Sequence, residues 1–338
     1  MNVASIPLLT ADLPGCGGSF KTVPEDFEVE EVPAYDPCGE GQHLFLWVEK
    51  RGRGTPEVAK QLARHFQVPE REVSYAGMKD RQAVTRQLFC LPAKAEALAA
   101  SFSDADVKLL WWKRHRNKLK SGHLRANRFG VRLRGVRDAA AANAVLARLG
   151  AVGVPNAFGD QRFGAADDNA DFGKRLLLGQ KLPRAPDRFQ RRLYLSAYQS
   201  LLFNRALAAR LAEGTLAKAL AGDVLKKHQT GGEFVCEDPA VDQPRVDAFE
   251  VSPAGPMFGP KMTAAAQGVA LAEEQILREE HLTLEVFERG RGETEGARRS
   301  YRVPLENALA VPDGADLKLS FTLPKGSYAT QVLRELCR

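Results

Sequence analysis

Residue patterns typical of β-strands lie near both ends of this 338-residue chain and fade in its middle. Apolar residues alternate with polar or small ones over residues 129–134 and again over residues 317–323, as in strands that bury one face. From about residue 154 to residue 303 helical patterns dominate. We therefore predict a sheet domain formed by residues 1–150 and 304–338, interrupted by an inserted domain, because insertions are tolerated at exposed loops.

Cap and stop residues predict where several helices begin and end. Thr55, followed by a proline and a glutamate, predicts a helix in which the threonine is the N-cap. An Ala-rich helix over residues 138–149 is expected to end at Gly150. Residues 191–212 predict a long amphipathic helix, and the Gly- and Arg-rich segment 289–299 predicts an exposed loop.

Composition argues against several classes of protein. No apolar run reaches the roughly 18 residues that a membrane-spanning helix needs, so we expect no membrane protein. The N-terminal residues lack the basic start and sustained apolar stretch of a signal peptide, so we expect a cytoplasmic protein. The five cysteines are scattered and never form a CxxC pair, which predicts reduced thiols and no metal site.

The excess of positive charge lies in one segment. The chain has 48 Lys and Arg against 42 Asp and Glu, but residues 113–137 include no acidic residue. Their ten basic residues are Lys113, Arg114, Arg116, Lys118, Lys120, Arg125, Arg128, Arg132, Arg134 and Arg137. A localised basic segment is typical of a protein that binds nucleic acid, and Trp111 and Trp112 beside it offer faces on which bases can stack. A solvated surface hairpin is the alternative.

One short segment carries candidate chemistry. In VSYAGMKDRQAVTRQLFCLP, residues 73–92, Asp80 lies between Lys79 and Arg81. Nearby positive charge favours the ionised form of a carboxylate, which suits a nucleophile or an electrostatic stabiliser better than a general acid. The aspartate could instead cap a following helix or join a surface network of ion pairs, and the residues alone leave this open. The GxSxG, HExxH and Walker motifs are absent from the chain.

Within this segment AGMKDRQAVTRQ, residues 76–87, resembles the AGxKDxxAxTxQ signature of the TruD family of tRNA pseudouridine synthases. Five further stretches resemble motifs of that family in the same order along the chain. They are PEDFEVEEVPAYDPCGEGQHLFLWVEKRGRGT (Pro24–Thr55), LRANRFGVRLRG (Leu124–Gly135), VPNAFGDQRFG (Val154–Gly164), SAYQSLLFNRAL (Ser196–Leu207) and LPKGSYATQVLREL (Leu323–Leu336). The resemblance therefore covers almost the whole chain.

The resemblance implies an α+β fold. The expected catalytic domain is of the pseudouridine-synthase type, built on a mixed or antiparallel sheet, and it carries an inserted helical-rich α/β domain. The catalytic domain is expected to be discontinuous, comprising residues 1–153 plus 304–338, and the insert to span residues 154–303. This organisation agrees with the placement of the strand patterns.

The resemblance also implies an activity, the isomerisation of uridine in tRNA to pseudouridine without a cofactor or a metal. It places the catalytic carboxylate at Asp80, and it leaves open whether this group attacks the sugar, attacks the base or stabilises positive charge at C1′. Uridine 13 of tRNA is the expected site, although related proteins modify other RNAs.

Five further residues match positions to which the family assigns a role near the substrate. Phe27 and Asn127 match substrate-contacting positions. Tyr328 matches another, at which many members have phenylalanine, so the stacking face is kept and a hydroxyl is added. Lys79 and Lys21 are implied as charged partners near the active site. Without the resemblance, Phe27 reads as a core aromatic residue and Asn127 as a turn-former before a strand.

Two other classes of protein fit part of the sequence. A non-catalytic tRNA-binding or chaperone protein would use the basic segment equally well, but it gains nothing from an acidic residue inside a phosphate-binding cleft. An RNA methyltransferase would need a glycine-rich cofactor loop at a strand end, and the sequence has none. We expect a monomer that binds tRNA and needs no obligate protein partner.

Overall fold

The computed structural model describes residues 6–164, 168–290 and 292–338, which divide into two compact units. The first, here called the sheet unit, comprises Pro14–Leu146, Leu305–Ser327 and Leu336–Arg338. The second, here called the mixed unit, comprises Met1–Leu13, Ala147–Pro304 and Tyr328–Glu335. The domain limits given above stay a prediction.

The elements are numbered in chain order. The strands are β1 (Phe27–Pro33), β2 (His43–Arg51), β3 (Ser74–Tyr75), β4 (Val84–Pro92), β5 (Val107–His115), β6 (Leu124–Leu133), β7 (Val154–Pro155), β8 (Val224–Lys227), β9 (Glu233–Val235), β10 (Val251–Met257), β11 (Ala297–Ser300), β12 (Arg302–Val303), β13 (Glu306–Asp313) and β14 (Asp316–Pro324). The α-helices are α1 (Thr55–His65), α2 (Ala139–Val152), α3 (Asn169–Leu177), α4 (Arg188–Ala212), α5 (Pro239–Asp247), α6 (Gln267–Glu279) and α7 (Ala329–Leu336).

The sheet unit is built on one mixed sheet of eight strands. The strand order is β13-β14-β6-β1-β4-β2-β5, and β3 pairs with β4. Strands β1 and β4 run parallel, whereas the other neighbours are antiparallel. Strands from distant parts of the chain meet where Leu319 of β14 pairs with Val131 of β6. The predicted α+β fold with a mixed sheet is therefore confirmed.

Alternation along the strands determines which side chains enter the core of the sheet unit. Leu44, Leu46 and Val48 of β2 are fully buried and pack against Val58 and Leu62 of α1. The two helix residues are four positions apart and so lie on one face of the helix, while the strand residues are two apart and lie on one face of the sheet. Burying each such aliphatic side chain contributes about 1.5–3 kcal/mol.

Helix α1 is capped differently from the prediction. Its N-cap is Gly54, whose N–H group donates to the carboxylate of Glu57 at 3.3 Å. The prediction that Thr55 caps this helix is wrong, because Thr55 is the first residue of the helix and is buried. Its hydroxyl group bonds instead to the Lys79 N–H and to the side chain of Gln87 on β4.

The mixed unit combines helices with two small sheets. One sheet has the order β11-β10-β8-β9 and the other pairs β12 with β7. The 25-residue helix α4 begins at Arg188, after an N-cap at Asp187 whose side chain accepts from the Gln190 N–H. The helix predicted over residues 191–212 is therefore confirmed, with three more residues at its start. Leu195, Leu202 and Phe203 of this helix lie in the core of the unit.

Most strands of this unit were not predicted from the sequence. Strand β10 reads VSPAGPM, and its two prolines and one glycine hide the strand pattern. The glycine, Gly255, is required by close packing, since a Cβ atom there would lie 2.3 Å from the ring of Tyr301. Strands β7, β8, β9, β11 and β12 have only two to four residues each, too few for a clear alternation.

Two smaller predictions are also wrong. Helix α2 continues through Gly150 to Val152, and the stop is at Gly153, which has a φ of +97° and donates its N–H to the Leu149 carbonyl. The exposed loop predicted over residues 289–299 ends early, because its last three residues belong to β11 and Arg298 is buried in an ion pair with Glu273. Residue 291 of that loop lies outside the described residues.

In the part of the chain that the structure describes, no helix is both long and apolar enough to cross a membrane.

Candidate active site

Asp80 lies in the loop between β3 and β4 of the sheet unit. Its side chain is about one-third exposed, and Oδ1 accepts a hydrogen bond from Nζ of Lys21 at 3.1 Å. The element that follows the loop is the strand β4, so Asp80 does not cap a helix. Within the described residues Oδ2 of Asp80 has no hydrogen bond or ion pair, so one carboxylate oxygen is held and the other is available.

The two cations beside Asp80 in the sequence bond to other groups. Nζ of Lys79 lies 2.7 Å from Oε2 of Glu31, and both side chains are buried. The Arg81 side chain is largely exposed and lies 3.9 Å from Glu57. Neither neighbouring cation pairs with the Asp80 carboxylate, and the expectation that they favour its ionised form stays a prediction. Neighbouring side chains of a non-helical segment point in different directions, and a residue 59 positions away supplies the partner instead.

Lys21 sits in a turn that is fixed by a buried carboxylate. Oδ2 of Asp26 accepts from the N–H groups of Thr22 and Val23 at 3.0 and 3.1 Å. Arg134 also bonds to this carboxylate at 2.7 Å, and its hydrogen bond is the main cause that lowers the pKa of Asp26. Lys21 itself has a φ of +62°, which non-glycine residues adopt rarely. The turn is therefore held in an uncommon conformation that directs Lys21 to Asp80.

Three buried side chains fix the Asp80 loop through hydrogen bonds to its backbone or to one another. The Thr55 hydroxyl accepts from the Lys79 N–H at 2.9 Å and donates to Oε1 of Gln87 at 2.9 Å. Nε2 of Gln87 donates to the Gly77 carbonyl at 3.0 Å. Lys50, at the end of β2, donates from Nζ to the Asp80 carbonyl at 2.9 Å. None of these three roles was predicted from the sequence, although Gln87 is the last residue of the AGMKDRQAVTRQ motif.

Lys50 is unusual because its side chain is an amine without any exposed surface. Nζ also donates to the Arg53 carbonyl at 2.7 Å. Burial lowers the pKa of Lys50 to about 8, although the negative charges of Asp80 and Glu57 act in the opposite direction. In the sequence Lys50 stands between Glu49 and Arg51, and this charged run gives no sign that its side chain is buried.

Phe27 lies under the Lys21 side chain. Nζ of Lys21 is 4.1 Å from the centre of the Phe27 ring, a cation–π contact. The ring is buried, with Phe20 at 6.5 Å and Phe129 at 6.0 Å between ring centroids. Phe321 stacks on Phe129 at 5.3 Å and extends this aromatic row. In this arrangement Phe27 supports Lys21, and its assignment as a substrate contact stays a prediction.

Asn127 carries a buried acceptor without a partner. It lies on β6 between Glu31 of β1 and Leu323 of β14. Its Oδ1 atom accepts no hydrogen bond from any described residue. A buried amide oxygen left unbonded costs free energy, so such an atom marks a place where a donor is expected to bind.

The predicted site residues fall into both units. Lys21, Phe27, Lys79, Asp80 and Asn127 lie in the sheet unit, where Lys21 contacts both Asp80 and Phe27. Tyr328 belongs to the mixed unit, and there its half-buried ring packs against Phe158 at 6.4 Å between centroids.

Half of the basic segment is neutralised by acidic residues from other parts of the chain. Five of its cations form ion pairs, Arg114 with Glu96, Arg116 with Glu40, Arg128 with Glu30, Arg132 with Asp313 and Asp316, and Arg134 with Asp26. The other five form no ion pair with an acidic side chain of the described residues; they are Lys113, Lys118, Lys120, Arg125 and Arg137, of which Arg137 donates to the main-chain oxygen of Arg338 at 2.8 Å. The charge excess available to a polyanion is therefore smaller than the sequence indicates.

Two of these unpaired cations, Lys118 and Lys120, lie in the connection between β5 and β6, and Arg125 lies near the start of β6. Residues 116–125, which include all three, are here called the basic connection. The Gly122 N–H donates to the Ala76 carbonyl at 2.7 Å. Since Ala76 lies four residues before Asp80, the basic connection is attached to the start of the Asp80 loop. The three cations are exposed.

The family model for tRNA pseudouridine synthase D (TruD) matches the chain over residues 4–185 and 180–336. The chain belongs to the TruD family. A tRNA pseudouridine synthase D of Anaeromyxobacter sp. (strain Fw109-5) is 54% identical over 98% of this chain and 96% of that protein. The corresponding protein of Thermus thermophilus is 45% identical over 98% of this chain and 92% of its own length.

A solved structure shares the fold. The crystal structure of a Methanosarcina mazei protein described as a TruD synthase matches with a TM-score of 0.79, covering 98% of this chain and 96% of that one at 24% identity. The resemblance of the sequence motifs to the TruD family is thus confirmed. As a member, this TruD chain is a pseudouridine synthase, an isomerase that acts on RNA, which favours this class over the two alternatives considered above.

Proposed function

We propose that this TruD protein converts uridine 13 of tRNA to pseudouridine and that Asp80 supplies the catalytic carboxylate. The observation that carries this proposal is the asymmetric bonding of Asp80, with Oδ1 bonded to Lys21 and Oδ2 without a partner among the described residues. The backbone around this carboxylate is held at Gly77, Lys79 and Asp80 by buried side chains. Such a fixed and partly exposed carboxylate suits chemistry on a bound substrate.

The reaction breaks the bond between C1′ and N1 of the uridine, turns the base and joins C1′ to C5. The hydrogen on C5 is lost, and N1 carries a proton in the product. An ionised carboxylate can form a transient covalent bond to the sugar or the base, or stabilise positive charge at C1′, or accept the proton from C5. Lys21 keeps one oxygen of Asp80 in place while the other acts, whichever of these routes is followed.

The target base must leave its stack to reach a carboxylate, so the protein has to bind an extruded uracil. Oδ1 of Asn127 is suited to accept a hydrogen bond from the uracil N3–H, since this atom is an unpaired acceptor. Phe27 and Tyr328 are proposed as aromatic contacts on the basis of the motif resemblance. For Phe27 to stack on the base, Lys21 has to leave the face of its ring.

The choice of tRNA rests on the family and on charge. The curated relatives are named tRNA pseudouridine synthases, and the basic connection carries exposed cations that can contact phosphates. We expect the protein to act as a monomer in the cytoplasm, where its substrate is found, without an obligate protein partner.

The test is to incubate the purified protein with an unmodified tRNA transcript and to map pseudouridine by mass spectrometry after chemical labelling. We expect one modified position, uridine 13. The Asp80→Asn variant should form no product while its affinity for tRNA stays within a few-fold of the unchanged protein. Asp36→Asn, which removes an exposed aspartate outside the site, is the matched control and should leave the rate unchanged.

Each part of the proposal can fail separately. Product formation by Asp80→Asn would reject the role of the carboxylate. Modification at another position would reject uridine 13 and keep the enzyme class. Tight binding of tRNA without any product would favour the non-catalytic alternative.

A further inference from the structure

Lys50 is a buried amine that no carboxylate neutralises directly. Its side chain has no exposed surface, and it forms no ion pair with any described residue. Its two hydrogen bonds go to backbone carbonyls, those of Arg53 and Asp80. Burying a cation costs free energy unless it is paired or hydrogen-bonded, so the two carbonyl groups that accept from Nζ are what this lysine has to offset its burial.

The elements packed around Lys50 contribute few charges. The Asp80 loop brings the Asp80 carboxylate and the Lys79 ammonium, and α1 brings Glu57. On the neighbouring strands Lys50 lies between Thr85 of β4 and Val107 of β5, neither of which is charged. Burial and the like charge of Lys79 lower the pKa of Lys50, while the two carboxylates raise it. Of the two carboxylates, that of Asp80 raises the pKa of Lys50 more.

The contact from Lys50 completes a fixed backbone around Asp80. The peptide unit before Lys79 is held through its N–H by the Thr55 hydroxyl, and the peptide unit after Asp80 is held through its carbonyl by Lys50. With both sides fixed, the backbone at Asp80 has little freedom to rotate. The direction of its carboxylate is then set before the substrate binds, and a misplacement of about 1 Å can slow a reaction about 100-fold.

We propose that Lys50 is a positioning residue for the isomerisation, holding the Asp80 carbonyl from inside the protein so that the carboxylate keeps its reactive orientation. The proposal rests on the proposed function of Asp80. Because Lys50 is fully buried, it does not touch RNA, and its removal acts on the rate of reaction and not on binding. Its positive charge strengthens the bond to the carbonyl, since charge-assisted hydrogen bonds are about twice as strong as neutral ones.

The test measures single-turnover rates on saturating tRNA, together with tRNA affinity and thermal melting. Lys50→Met should slow the reaction at least tenfold with a Kd for tRNA within about threefold of the unchanged protein. Lys108→Met is the matched control, because it removes a largely exposed lysine from β5, next to β2, and leaves the Asp80 loop untouched. A melting temperature lowered without loss of rate in the folded protein would show a merely structural role and overturn the proposal.

The pH dependence gives a second readout that does not require Lys50→Met to fold. Below the lowered pKa Lys50 is an ammonium, and above it a neutral amine that binds the carbonyl less strongly. The rate of the unchanged enzyme at low tRNA concentration should therefore decrease as the pH rises, with a midpoint near pH 8. Lys50→Arg stays charged over this range, so its rate should not show this decrease. Cys38→Ser, which removes an exposed thiol, is the control and should still show the decrease. A flat rate from about pH 7 to 9.5 in the unchanged enzyme would overturn the proposal, even if Lys50→Met does not fold.

These outcomes separate the two proposals. If Asp80→Asn is inactive and Lys50→Met is fully active, the role of Lys50 is rejected and that of Asp80 stands. If Asp80→Asn is active, the role of Asp80 fails independently of any result with Lys50.

Discussion

At the scale of single residues, Lys21 contacts both the Asp80 carboxylate and the ring of Phe27. Its ammonium group bonds to Oδ1 of Asp80 at 3.1 Å and lies 4.1 Å above the ring of Phe27. The ring face attracts the cation by about 0.5–2 kcal/mol, depending on exposure, and so helps to keep it next to the carboxylate. Phe27 can thus affect catalysis through Lys21 as well as through the base.

The ring of Phe27 is tested best by a substitution that keeps its volume. Phe27→Ala would leave a cavity in a buried aromatic row and cost about 3–5 kcal/mol of stability, which would confuse the result. Phe27→Leu keeps most of the bulk and removes the ring face. We expect the single-turnover rate to fall about tenfold, since stacking is worth about 1–3 kcal/mol and a factor of ten needs about 1.4 kcal/mol. An unchanged rate would show that the ring serves packing alone.

Tyr328 allows the same distinction within one position. Tyr328→Phe keeps the ring and restores the residue common in the family, so its rate on saturating tRNA should be nearly unchanged. Tyr328→Leu keeps bulk and loses the ring face, so its rate should fall. If the phenylalanine variant is inactive and the leucine variant active, the hydroxyl group matters and the stacking role is wrong. Melting temperatures of both variants exclude unfolding as the cause.

Residue by residue, the sequence indicated the reactive group better than its surroundings. The motif singled out Asp80, but the ion-pair partners of this loop come from 48 and 59 positions away, Glu31 for Lys79 and Lys21 for Asp80. Contacts between such distant residues depend on how β1 and β4 pair, which charge patterns along the chain do not reveal. Lys50 was missed for the same reason, since its partner Asp80 lies 30 positions further on.

At the scale of elements, β2, α1 and β4 together carry the residues that hold the Asp80 loop. Thr55 lies in the first turn of α1 and Gln87 on β4. Their side chains bond to each other, and each also bonds to the backbone of the loop. A threonine followed by a proline was predicted to cap the helix. The structure uses Gly54 as the cap instead, because the Thr55 hydroxyl is engaged by the Lys79 N–H and by Gln87.

The Thr55 bridge should contribute to both stability and rate. Thr55→Val keeps the shape and removes the hydroxyl group, which leaves the Lys79 N–H without its acceptor and Oε1 of the buried Gln87 without its donor. We expect the free energy of unfolding in urea to fall by about 1–3 kcal/mol. The single-turnover rate should fall as well, since the loop carrying Asp80 is less well fixed. Thr55→Ser retains the hydroxyl and is the matched control. Equal behaviour of the two variants would contradict this account.

The sequence predicted β6, β14 and α4, but it did not predict the short or irregular strands of the mixed unit or the nine-residue strands β4 and β5. The alternations over residues 129–134 and 317–323 and the helical period of α4 each extend over six or more residues, so burial leaves a clear pattern. Strand β10 breaks this pattern with two prolines and Gly255, because its packing against Tyr301 leaves no room for a side chain. Tertiary contact, and not local propensity, determines such a strand.

At the scale of the whole molecule, the formal net charge of +6 does not show which cations contribute to RNA binding. Among the described residues, five of the ten cations of the basic segment pair with acidic side chains and five do not. A paired arginine presents a nearly neutral group to a phosphate, whereas an unpaired lysine can release counterions from the nucleic acid. The unpaired cations should therefore dominate the affinity for tRNA, and those of the basic connection are attached next to the Asp80 loop.

Two triple variants of equal charge test this division. The replacement of Lys118, Lys120 and Arg125 by serine removes unpaired cations, and the replacement of Arg114, Arg116 and Arg128 by serine removes paired ones. Both variants lower the formal net charge from +6 to +3, so the long-range attraction to RNA changes equally in the two. For the first variant we expect weaker binding to all tRNAs and a log–log salt dependence flatter by about 0.7–0.9 for each phosphate that the protein no longer neutralises. For the second variant the slope should stay nearly unchanged, because the paired arginines neutralise few phosphates. Equal slopes for both variants, measured as Kd between about 50 and 200 mM salt, would show that net charge alone governs binding and that the ion pairs do not matter.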